Sequence, residues 1–165
     1  TNGFRKIPPS VGYKLHISVW GSDETSLKIR KAKNLLKKQI ENYENDPRAV
    51  FVYTFTRNNI DEVNEVTEEL AAHDCKLTFN VFSAPVGYAG NLRHDDASLE
   101  QTRQTMIELL NQYPRNVLFS VYNAIAHTHR KGLHDLYSCS YPRQNPSQDI
   151  GLGRSFRQYL SLIHI

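Results

Sequence analysis

Small polar side chains recur in this chain where β-branched and aromatic runs give out. His16-Ile17-Ser18-Val19-Trp20-Gly21 closes one such run, Thr54-Phe55-Thr56-Arg57-Asn58-Asn59 closes a second, and Phe79-Asn80-Val81-Phe82-Ser83 closes a third. Hydroxyls and amides donate and accept hydrogen bonds but do not gain or lose a proton near neutral pH. Ser18, Thr54, Thr56, Asn59 and Asn80 are therefore candidates for cradling a polar ligand. Arg57 is the one charged residue there before Asp61 and Glu62. A barrel enzyme working by proton transfer or a Schiff base, such as an aldolase, would place a lysine or an acid–base pair at these ends. Asn59 also suits a second role, as an N-cap with Glu62 three residues on.

Other residue types that do chemistry are sparse. His127 and His129 form an H-x-H pair with His134 nearby, but a zinc or iron site needs three or four converging ligands. Surface or loop histidines are the reading that stands. Cys75, between a helix end and a strand, reads as a buried structural thiol, whereas Cys139 lies in the loop-like Tyr137-Ser138-Cys139-Ser140-Tyr141-Pro142. No Gly-x-Gly-x-x-Gly, P-loop lysine or Gly-x-Ser-x-Gly occurs, so dinucleotide-binding, nucleotide-hydrolase and serine-hydrolase readings lose their usual support. Lys28, Arg30, Lys31, Lys33, Lys37 and Lys38 spread around a helix and read as a solvated outer face; a polyanion-binding surface is the alternative.

The elements that must position these residues follow from periodicity. Residues 13–20 alternate polar and apolar, as a strand with one buried face does. Residues 26–45 read as one helix, ended by Asp46-Pro47 because the residue before proline leaves the helical region. The almost uncharged run 49–56 reads as a strand buried on both faces. Ile60, Val63, Val66 and Leu70 mark a second helix, and residues 76–83 a third strand. A long loop carrying Gly87, Gly90 and His94 follows and is expected to lie over the site. Ser98 with Gln101 opens a third helix that Pro114 stops; residues 117–121 suit a strand or a helix start equally. Strands alternating with helices imply parallel βαβ units, either a doubly wound sheet or part of a (β/α) barrel, with ligands at the carboxyl ends of strands.

Composition is that of an ordinary globular protein. In 165 residues there are 20 basic and 17 acidic side chains, a net charge of +3 that is too mild to argue for nucleic acid. No apolar run approaches the roughly 18 residues of a membrane span. With two cysteines far apart, a disulfide scaffold does not fit, and a cytoplasmic location is expected. The chain begins at Thr1 without a methionine, and residues 161–165, SLIHI, resemble translated sequencing-adapter read-through. The expectation is a fragment of a longer protein.

Taken in order, Thr1-Asn2-Gly3, the His16–Gly21 segment, the Thr54–Glu62 segment with its N-x-D-E start, and Phe79–Ser83 resemble the middle and later part of a radical S-adenosylmethionine enzyme. The likeness covers about residues 1–125. It implies an α/β fold, a parallel (β/α) partial TIM-type barrel, here truncated, over residues 1–131. Residues 132–160 would begin a C-terminal extension of the cysteine-rich SPASM kind. It also implies S-adenosylmethionine and a [4Fe-4S] cluster as cofactors, the cluster bound through a C-x₃-C-x₂-C motif that lies outside this sequence. An electron donor such as flavodoxin or ferredoxin would be a partner. Ser18 matches a serine near the ribose or methionine end of the cofactor. Thr54, Thr56 and Asn59 match the polar end of the fifth barrel strand, and Asn80 and Val81 the sixth, whose backbone lies near adenine. Cys139 would be the first ligand of an auxiliary cluster. The chain departs from the family at Trp20, where an acidic residue is usual. The reading from another class is a non-catalytic ligand- or polyanion-binding α/β module built on residues 28–38.

Overall fold

The structure is a computed structural model that describes residues 1–84 and 88–128. Among them it contains three strands and five helices: β1 (Leu15–Val19), α1 (Asp23–Arg30), α2 (Leu35–Tyr43), β2 (Ala49–Phe55), α3 (Val63–Ala72), β3 (Leu77–Val81), α4 (Asp96–Gln112) and α5 (Val121–Thr128). The chain is thus α/β, with an open parallel sheet in the order β1-β2-β3. Ile17 stands opposite Phe51, and Phe51 opposite Leu77. Helix positions alternate with strands as the periodicity predicts.

Side chains on a strand alternate between faces, and register partners share a face. Leu15, Ile17, Val19, Phe51, Tyr53, Phe55, Leu77 and Phe79 therefore form one surface. A single core cluster joins them to Leu36 and Ile40 of α2, Val66 and Leu70 of α3, and Met106 and Leu109 of α4. Three successive crossover helices thus lie on the same face. That is what right-handed crossovers produce when strand order runs in one direction. A doubly wound sheet would reverse its order, and no reversal occurs among the described strands. The opposite face carries His16, Ser18, Val50, Val52, Thr54, Thr78 and Asn80.

Both edges carry further ladder bonds. The Thr1 amino group donates to the His16 carbonyl at 2.8 Å, and Ser18 N–H donates to the Thr1 carbonyl at 2.9 Å. This is the hydrogen-bond pattern of a parallel neighbour opposite Ile17. On the other edge Leu77 and Val117 form an isolated parallel bridge, with Leu118 N–H donating to the Leu77 carbonyl at 2.7 Å. The ambiguous 117–121 segment is therefore a strand-like bridge followed directly by α5.

The single helix expected over residues 26–45 is two helices. Lys31 (φ 58°) and Asn34 (φ 50°) both adopt the left-handed conformation. The Asp23 carboxylate then accepts from Leu36 N–H at 2.6 Å, satisfying a first-turn donor of α2 from the start of the preceding helix, α1. The apolar spacing runs through the break, so periodicity does not register it.

The Thr1-Asn2-Gly3 turn is pinned by α2. The buried Gln39 amide donates to the Asn2 and Ser18 carbonyls at 2.7 and 2.9 Å. Gly3 has φ +67°, and a Cβ there would lie 2.6 Å from Ile17 Cγ2 and 2.8 Å from Gln39 Cγ. Gly3→Ala is therefore expected to destabilise the fold by about 2 kcal/mol or more, through strain and overpacking. Urea unfolding with an unchanged m-value and a lowered midpoint is the check.

Candidate functional site

The carboxyl ends of β1 and β2 are joined by one side chain. Asn59 is 1% exposed. Its Oδ1 accepts from Thr56 N–H at 2.7 Å, and its Nδ2 donates to the Trp20 carbonyl at 2.9 Å and the Thr54 carbonyl at 3.0 Å. The Tyr53 hydroxyl donates to the Asn59 carbonyl at 2.6 Å, and burial raises the Tyr53 pKa, so it stays a donor. Asn59 is not the N-cap of α3. That helix starts at Val63 after Glu62, without a side-chain cap. Asparagine suits caps and buried turns for the same reason, a short side chain that mimics a peptide group.

Glu62 also reaches back to the first strand's loop. Its Oε2 accepts from Ser22 N–H at 2.9 Å, and its Oε1 accepts from the Thr25 hydroxyl. Asn59 and Glu62 of the N-x-D-E segment thus both hold the β1–α1 loop in place. Gly21, at φ +129°, lies where a Cβ would come within 2.7 Å of Glu62 Oε2.

Against this clamp sits a second group. Ser18 Oγ accepts from Arg30 Nη2 and from Trp20 Nε1, each at 3.0 Å, and the guanidinium lies 5.1 Å from the Trp20 ring centroid. Trp20 meets Phe82 edge to face at 5.9 Å, and Phe82 meets Tyr88 at 5.5 Å. Arg30 is half-buried and makes no ion pair among the described residues. Desolvation lowers its pKa, though a guanidinium remains charged. The expectation that placed Arg30 on the solvated outer face is corrected here, since it turns inward to β1. Nothing local in the sequence separates it from its lysine neighbours; the signal is a contact twelve residues away.

The predicted residues divide as follows. Ser18, Thr54 and Asn80 share the face opposite the helices, with Thr54 level with Asn80 in the register. Val81 points to the helix side, level with Phe55. Thr56 is fully buried, and its hydroxyl accepts from Asn58 N–H. Thr54 is buried, and Asn80 is partly exposed. Cys139, His129 and His134 lie outside the described residues. His127, in α5, packs edge to face on Phe119 at 5.6 Å. Cys75 is buried before β3, at the amino end of the sheet, where desolvation pushes its thiol up to about 12. No group of three His, Cys, Asp or Glu able to hold a metal occurs among the described residues. The arrangement around Ser18 and Arg30 can bind an anionic, polar ligand beside aromatic surface; it contains no acid–base pair.

His94 fastens the loop before α4 to β2. Its Nε2 lies 3.2 Å from the Phe55 carbonyl and its Nδ1 3.2 Å from Ser98 Oγ. The helix start is a capping box of Asp95 and Ser98, where the sequence suggests Ser98 and Gln101. Comparison with protein-family models, with curated proteins and with solved structures finds no match for this chain.

Two outcomes are expected. Asn59→Ala strands buried partners of two strands and should lower stability by about 2–4 kcal/mol in denaturant unfolding. Burial lowers the His94 pKa, outweighing the Phe55 carbonyl and Asp95, which raise it. The unfolded chain then takes the proton first. The stability from neutral His94 is complete above its ordinary value of 6.5 and declines as pH falls below it. Wild type should therefore lose more stability than His94→Gln when unfolding is compared at about pH 7.5 and about pH 5.

Proposed function

We propose that this chain is the part of a radical S-adenosylmethionine enzyme spanning the third to sixth strands of a partial (β/α) barrel. The observation that carries the reading is Arg30: a half-buried guanidinium with no carboxylate partner among the described residues, hydrogen-bonded to Ser18 at the carboxyl end of β1. A buried cation calls for a compensating anion, and the carboxylate of the cofactor's methionine moiety supplies one. The unidirectional strand order, with crossover helices on one face, and the ladder bonds made by Thr1 and Val117 are in keeping with a barrel segment.

The residues present fit S-adenosylmethionine better than they fit its cluster. Ser18 and Arg30 would hold the methionine end, while Thr54 and Asn80 would offer a hydroxyl and an amide on the same face. Thr56, Asn59 and the β3 backbone at Val81 would keep the strand ends in register. Among the described residues the [4Fe-4S] cluster finds no ligands: Cys75, the one described cysteine, is buried at the opposite end of the sheet. When bound and reduced by one electron, S-adenosylmethionine supplies a 5′-deoxyadenosyl radical for hydrogen abstraction. The work of this chain's residues is to orient the cofactor and to keep water from it. An electron donor such as flavodoxin or ferredoxin belongs to the same proposal.

The second reading, a non-catalytic module binding polyanions, rests on Lys31, Lys33 and Lys37, which are exposed and make no ion pair among the described residues. Lys28 and Lys38 are paired with Glu24 and Glu41.

Reading the source coding sequence upstream of Thr1 tests the proposal directly. A C-x₃-C-x₂-C motif is expected within roughly 100 residues, about three β/α units of the size found in barrels. Its absence overturns the radical reading. In the whole protein, Arg30→Gln should weaken S-adenosylmethionine binding about tenfold or more, as loss of a charge-assisted hydrogen bond does. Binding of heparin by this chain, falling steeply with salt, would favour the polyanion reading.

A further inference from the structure

A polar concavity opens at the carboxyl end of the sheet, away from Ser18 and Arg30. It is a cleft of about 480 Å³ between the β2–α3 loop and the segment preceding α4, lined by Arg57, Asn58, Asn91, Arg93, His94 and Asp95. Its walls are fixed to each other at several points. Arg57 N–H donates to the Leu92 carbonyl at 3.2 Å, Phe82 N–H donates to the Phe55 carbonyl at 2.8 Å, and His94 Nε2 lies 3.2 Å from that same carbonyl. An Arg57–Asp95 ion pair at 3.0 Å closes the rim.

The lining carries more donors than it uses. Arg93 makes no ion pair or hydrogen bond with any described residue, and the side-chain amides of Asn58 and Asn91 make none either. Two guanidinium groups face one carboxylate, so the cleft carries a net positive charge. Guanidinium forks match the planar, two-oxygen geometry of carboxylates and phosphates. Walls held in place before binding avoid the entropy of ordering them afterwards. We propose that this cleft is a binding site for an oxyanion group, a carboxylate or phosphate borne on a small polar molecule, with Arg93 as the principal donor and Arg57, Asn58 and Asn91 completing the contact. The site stands independently of the cofactor reading, since none of its residues takes part in the Ser18–Arg30 group.

The test is an NMR titration of the full chain with inorganic phosphate and, separately, with succinate, at constant ionic strength. Saturable amide shifts confined to residues 57–59 and 91–95 are expected with at least one of them, with Kd on the order of millimolar. Arg93→Gln should weaken that binding about tenfold. Lys37→Gln, on the distant basic surface, should leave it unchanged. Saturation by phosphate alone, by succinate alone or by both supports the site and identifies the oxyanion it prefers. Absence of saturation with both anions, shifts spread over residues 28–38 instead, or an Arg93→Gln affinity equal to wild type would each overturn it. Because Arg93 is exposed and holds no other described residue, the variant is expected to fold as the parent does, and its affinity reads the site directly.

Discussion

The carboxyl end of the sheet depends on one buried amide. Loop backbones that meet away from water must find partners, because each unpaired peptide group costs about 1–3 kcal/mol. Asn59 resolves this for two loops at once by bonding three backbone groups, one of them on the neighbouring strand's loop. No water can take over at a side chain so enclosed. The Glu62 carboxylate adds a tie to Ser22 and Thr25, and Gly21 leaves room for it. The positions of Ser18, Trp20 and Arg30 relative to Thr54 follow from this joint, as does the start of the loop that bears Arg57. The rigidity of the polar residues at the strand ends is thus inherited from a residue that, with its amide fully engaged, offers little to a ligand itself.

Much of the fold was legible because it is written in short-range pattern. The uncharged run at Val50–Phe55 announced a strand buried by neighbours, Asp46-Pro47 announced the end of the preceding helix, and the stripe Val63, Val66, Leu70 announced α3. The single-face placement of the helices could not be read, since it depends on strand order, which no local signal encodes. The split between α1 and α2 escaped because its cause is a left-handed pair of residues and a cap supplied by Asp23, thirteen residues from Leu36. The candidate site divides in the same way. Ser18, Thr54 and Asn80 were visible as small polar residues at strand ends, and the register brings them to one face. Arg30 was hidden among like charges, and the role of Asn59 as a joint was hidden behind its aptitude for capping. Each is decided by contacts between distant parts of the chain.

Among the described residues, cations of similar type meet very different surroundings. The exposed lysines of α1 and α2 are hydrated, and their pairs with Glu24 and Glu41 contribute little to stability. Arg48 is internal to the fold: it pairs with Asp46 and binds the carbonyls of Ile7 and Pro8, tying the N-terminal segment to the turn before β2. Arg30 and Arg93 are different again, since each lies at the carboxyl end of the sheet and makes no ion pair among the described residues. Net charge says nothing of this division; the positions of the partners do.

Cys75 gives the molecule an internal clock. Alkylating reagents attack the thiolate, and a thiol held at a pKa of about 12 presents about one thiolate in ten thousand at pH 8. Cys75 lies in the α3–β3 turn, buried against the core cluster, so reagent reaches the sulfur when that turn and the core it packs on open. The rate at which Cys75 is modified under native conditions therefore measures how often that core breathes. The chain carries, without any engineered label, a chemical report of its own opening that mass spectrometry can read peptide by peptide.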